Sequence, residues 1–135
     1  MDGKWGYIKT DGIFLVEPKF DYAGDFKNGT TYVELDGKWG YIKTDGTYLV
    51  EPKFKSAEQF MEGFARVKLG RKWGYIKTDG SYLVEPRFTS AENFGMGRAQ
   101  IKLDGKEGII NTNAIFSHIN LFQIQLKEFL TLRKR

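Results

Sequence analysis

One phrase recurs through this chain. "MDGKWGYIKTDG" occupies residues 1–12, "LDGKWGYIKTDG" residues 35–46 and "GRKWGYIKTDG" residues 70–80. Trp5, Trp39 and Trp73 lie 34 residues apart, and so do Gly6, Gly40 and Gly74. Pro18, Pro52 and Pro86 keep the same step, as do Phe26, Phe60 and Phe94. By direct count, stretches 36–69 and 70–103 agree at 23 of 34 positions. A period of this length means one small unit repeated. No unit can cover its own apolar side, so its neighbours must do so. A fourth unit opens at Asp104 as "DGKEGII", with Glu107 where Trp belongs and Asn113–Ala114 in place of Asp–Gly.

Within a unit the hydrophobic pattern has period two. Val33 and Leu35 fall on one side of "TTYVEL", Tyr32 and Glu34 on the other, and "FARVKL" and "RAQIKL" repeat this. Such alternation predicts a strand with one buried face. Asp36–Gly37 is a two-residue type I′ hairpin signal, because both positions need positive φ. Gly70–Arg71 suits a type II′ turn at the same place. "KWGYIK" at 38–43 is the second strand, and "TYLVEP" at 47–52 the third, ended by Pro52, which cannot donate to a ladder. Residues 53–63 form a connection holding a short turn or a poor fourth strand. The fold class expected is therefore all-β: tandem three-stranded antiparallel hairpin or meander units in a superhelical or propeller-like array. A parallel β-helix is disfavoured. It would stack Lys9, Lys43 and Lys77, and likewise Glu17, Glu51 and Glu85, about 4.8 Å apart as like-charge ladders. In one continuous meander the equivalents would stand roughly 14 Å apart.

Charge and composition narrow the function. The net charge is +4, and residues 119–135 carry Lys127, Arg133, Lys134 and Arg135 against Glu128. The repeats are close to neutral, which is no footprint for nucleic acid. There is no Cys, so disulfides and thiolate metal sites are excluded. No apolar run approaches the ~20 residues of a membrane helix. The opening residues carry no leader pattern, so the expected location is cytoplasmic by default.

The spaced motif "GKWGYIKTDG", then "LVEPKF", then Ala, Phe and Gly resembles the WG (KWG) β-repeat family of bacterial proteins, from Asp2 to about Ile110. The resemblance implies an all-β repeat structure with an interaction role and no enzymatic activity. It divides the chain into a repeat array at 1–110 and a divergent tail at 111–135. The chain opens inside a unit, as a piece of a longer array would.

Each repeated residue has a structural reading beside a chemical one. Trp5, Trp39 and Trp73 are expected to pack on neighbouring units, with Gly6, Gly40 and Gly74 leaving them room. Tyr7, Tyr41 and Tyr75 share the Trp face by alternation, either in its core or as its partly exposed rim, and as rim residues they are the candidates for ligand binding. Asp11, Asp45 and Asp79 offer one carboxylate per loop, which suits turns rather than a metal. Glu17, Glu51 and Glu85 recur in every unit, unlike a single active site. His118 is the one His and has no repeated nucleophile. We expect no catalytic, metal or cofactor site. In the tail, Phe122, Leu126, Phe129 and Leu130 share one face of a predicted capping helix. The function expected is a non-catalytic module for protein–protein interaction, the alternative being a carbohydrate or cell-envelope binding module built on repeated aromatics. Partners are expected to be another protein or a second copy through open strand edges, with a glycan second, and neither nucleic acid nor membrane.

Overall fold

The structure, a computed structural model, describes residues 3–115. The predicted tail helix and His118 lie outside the described residues. Four antiparallel sheets follow one another along the chain. The first pairs β1 (Trp5–Ile8) with β2 (Phe14–Phe20). The second is β3 (Tyr22–Ala23), β4 (Thr30–Leu35), β5 (Lys38–Lys43) and β6 (Tyr48–Phe54) in that order. The third repeats it with β7 (Ser56–Ala57), β8 (Phe64–Leu69), β9 (Lys72–Lys77) and β10 (Tyr82–Phe88). The fourth has β11 (Ser90–Ala91), β12 (Arg98–Leu103) and β13 (Lys106–Asn111). No helix among the described residues is long and apolar enough to cross a membrane.

The hairpins form where the turn residues demand. Asp36 and Gly37 both have positive φ, 54° and 80°, the type I′ signature. At the third copy only Gly70 is positive, at 64°, as a II′ turn requires. The connection between units holds a short fourth strand, since Ser56 pairs with Lys68 and Ala57 with Val67.

The sheets are separate and packed face to face, rather than joined into one continuous meander. Phe20 and Tyr7 of the first sheet meet Val33 and Ile42 of the second in one core. Tyr41 and Phe54 of the second meet Ala65, Val67 and Ile76 of the third. Tyr75 and Phe88 of the third meet Ala99, Ile101, Leu103 and Ile110 of the fourth. Each inner sheet is therefore covered on both faces, against the expectation of one buried face. Residues 31, 33 and 42 point back to the preceding unit, and 32, 39, 41 and 54 point forward to the next. Clean alternation survives on β12, whose odd positions are buried and even positions exposed.

The third strand of each unit does not stop at Pro. It runs through Pro52 to Phe54 and through Pro86 to Phe88. Trp39 pairs with Phe54 and Tyr41 with Val50, so β6 advances four residues while β5 advances two. The surplus is a bulge, and it carries the proline where no ladder bond is needed. The bulge passes directly over Gly40. A Cβ there would lie 2.5 Å from the Val50 carbonyl oxygen and 2.6 Å from the Pro52 nitrogen, and Gly74 faces Val84 and Pro86 in the same way. The repeated glycine makes room for the unit's own backbone, and not for Trp as its neighbour in sequence had suggested.

Candidate functional site

Trp39 and Trp73 do pack against the cores shared with the next unit, but the Tyr residues lie deeper than they do. Tyr41 and Tyr75 are fully buried. The Tyr41 hydroxyl donates to the Glu58 carbonyl and that of Tyr75 to the Glu92 carbonyl, each at 2.6 Å. Tyr7, half-buried, donates to the Gly24 carbonyl in the first unit. These phenols are therefore tethers that hold the connection between units, and no exposed rim for a ligand. Burial pushes the Tyr7 phenol up to about 12 and raises those of Tyr41 and Tyr75 further.

The indoles occupy the rim. Trp39 and Trp73 are half-buried against the cores, and Trp5 is 58% exposed. Alternation places Trp39 and Tyr41 on one face, but it says nothing of depth. Tyr41 lies mid-strand opposite Tyr32 and Val50, whereas Trp39 lies one pair from the hairpin turn, opposite Glu34. The other repeated positions divide similarly. Phe94 is buried while Phe26 and Phe60 are half-buried, Gly40 and Gly74 are buried and Gly6 half-buried, and Pro18 is exposed while Pro52 and Pro86 are half-buried.

What surrounds each indole differs from unit to unit. Trp39 stacks on Tyr32 at 5.4 Å between ring centres, and the half-exposed Tyr22 lies 5.4 Å from Trp39 and 5.6 Å from Tyr32. The neighbouring Tyr22 phenol, ahead of burial, is the main reason that the Tyr32 phenol rises to about 12. At the third unit Ser56 and Arg66 replace Tyr22 and Tyr32. The Arg66 guanidinium lies 5.2 Å over the Trp73 ring, with the Lys68 ammonium at 5.7 Å. Arg66 also donates to the Ala91 carbonyl at 2.6 Å and pairs with Glu58 at 3.6 Å and Glu92 at 3.9 Å. This variable rim on a constant frame could not be read from the period, which records only what repeats.

The turn carboxylates are spent locally. Asp45 accepts the Thr47 amide at 2.9 Å and its hydroxyl at 2.6 Å, and Asp79 treats Ser81 alike. These donors hold both carboxyls below their usual range. Asp11 accepts the Ile13 amide at 3.0 Å.

Comparison with curated proteins gives no match, nor does comparison with solved structures. The pattern of the WG-containing repeat, in contrast, matches three consecutive stretches, 5–39, 39–73 and 73–106. The first two run from indole to indole, and the third ends at Lys106, just before Glu107 at the place of the next Trp. The chain belongs to the family of WG-containing repeat proteins.

Proposed function

We propose that the chain is a non-catalytic repeat module that binds another protein through the rim of its stacked sheets. The observation that carries this reading is the half-exposed indole row whose neighbours change while the frame does not: Tyr22 and Tyr32 beside Trp39, then Arg66 and Lys68 beside Trp73. Trp, Tyr and Arg are the residues that dominate protein interfaces, because each combines a large apolar area with a polar group. The near-neutral charge of the repeats favours a protein over nucleic acid or a lipid surface. The repeated polar groups are committed to structure, with buried phenols on carbonyls and Asp45 and Asp79 in turns, which supports binding rather than catalysis.

The test replaces Tyr22 and Tyr32 by Ser and Arg, the residues the third unit carries at those places, so the frame is kept. Proteins cross-linked through the rim in extracts of the source cells are then identified for wild type and variant. The expected result is a discrete partner lost in the variant at unchanged melting temperature. Identical capture by both proteins would overturn the rim as the binding surface.

A second reading is favoured by the Tyr22–Tyr32–Trp39 cluster, whose ring faces suit a sugar. It predicts strong iodide quenching of Trp fluorescence that a bound glycan relieves. Quenching unchanged across a glycan panel removes it.

A further inference from the structure

The second and third units present the same indole among opposite charges. At the third, the Arg66 guanidinium and the Lys68 ammonium both lie over the Trp73 ring, so this unit supplies its own cations. Arg66 joins that ring to the Ala91 carbonyl and to the carboxylates of Glu58 and Glu92. At the second unit the places 34 residues earlier hold Tyr32 and Glu34. Neither cation is there, and a carboxylate stands in place of one of them.

The strand register puts that carboxylate among the rings. Tyr22 pairs with Glu34 across β3 and β4, and Glu34 with Trp39 across β4 and β5. Residues directly opposite one another share a face of the sheet, so Glu34 stands in one row between Tyr22 and Trp39. It is half-buried. Among the described residues no ion pair or hydrogen bond engages its carboxylate. The Glu58 carboxylate, by contrast, is already paired with Arg66. A carboxylate partly withdrawn from water has lost hydration without gaining a partner. The faces of the rings beside it are themselves electron-rich and attract a cation. Tyr22, 43% exposed, is the open ring of the group.

We propose that the Tyr22–Glu34–Trp39 row receives an arginine side chain of the partner protein. This rests on the rim reading above and names the chemistry that the rim takes at the second unit. A guanidinium lies flat on an aromatic ring while its N–H groups fork to a carboxylate, and an ammonium cannot do both as well. Arg66 makes the corresponding combination of ring and carboxylate within the chain at the third unit. An acidic or purely apolar segment would instead cover Glu34 and leave it unpaired.

Nuclear magnetic resonance of the full chain, followed at the Trp39 indole N–H, tests this. The probe is a capped pentapeptide with one arginine among glycines. Its controls carry lysine or citrulline, the latter nearly the same shape without the charge. The expected result is a saturable shift at Trp39 with the arginine peptide. Binding should be several-fold weaker with lysine and about tenfold or more weaker with citrulline. Glu34→Gln should weaken it about tenfold. Glu34→Lys, which installs the residue type of the third unit, should abolish it, with the melting temperature of both variants close to that of the wild type. No saturable shift at tens of millimolar peptide, an equal response to citrulline, or indifference to Glu34→Lys would each overturn the proposal. A cross-linked partner that is lost on replacing Tyr22 and Tyr32 but kept by Glu34→Lys would overturn the arginine and leave the rim reading standing.

Discussion

Gly40 and Gly74 illustrate how much a single residue decides here. A methyl group at either position would meet backbone at 2.5 Å, which cannot swing aside as the end of a side chain could. Gly74→Ala should therefore cost about 2–4 kcal/mol, measured as a lower denaturant midpoint. A loss near zero would show that the bulge at Pro86 relaxes freely. Tyr41 and Tyr75 add a pH dependence. An ordinary phenol ionises near 10.0, and burial raises both of these. Above that pH the unfolded chain releases protons that the folded chain retains. The stability these groups contribute is therefore complete below pH 10 and declines as the pH climbs toward their folded values. Melting temperature should fall on the alkaline side, phenolate absorbance should lag until unfolding, and Tyr41→Phe should lessen the fall. The recurrence of these residues was legible in the sequence, but their depth was not. Alternation assigns Trp39 and Tyr41 to one face and is silent on which of them lies at the strand's middle.

Among the elements, the strands and tight turns were the most legible. Alternation located β4, β8 and β12, and Asp36–Gly37 located a hairpin, because both signals are local. The bulge at Pro52 was not legible, since it exists only relative to the partner strand β5. A second family of turns joins the short strands to the long ones, at Asn28–Gly29, Glu62–Gly63 and Met96–Gly97, with positive φ at every residue. The first uses Asn, which tolerates that conformation, while the others place Glu62 and Met96 there at φ 55°. The Glu62 carboxylate offsets this at the next unit, accepting the Met96 and Gly97 amides at 2.6 and 2.8 Å. The Met96 side chain is 90% exposed and packs on nothing that substitution would lose. Met96→Asn should therefore stabilise the protein by about 0.5–1 kcal/mol, seen as a rise in melting temperature. An unchanged or lower value would mean that the left-handed conformation costs little here.

At the scale of the molecule, stability is shared along a line of sheets, whose cores among the described residues join each sheet to its neighbours in sequence. Among the described residues, the inner strands β8 and β9 are covered on both sides and β1 and β2 on one side. Hydrogen exchange should accordingly be fastest in β1–β2 and slowest in β8–β9, by about tenfold or more. Equal protection throughout would mean that the stack unfolds as one unit. Read without coordinates, the chain already disclosed its period, its all-β character, its hairpins and its kinship, because each of these is written in spacing and local turn chemistry. The face-to-face stacking, the passage of the strand through Pro and the relative depth of Trp and Tyr emerged only in three dimensions. Each of them depends on which residues from distant parts of the chain come to lie opposite one another, and a one-dimensional pattern holds no information about distance from the edge of a sheet.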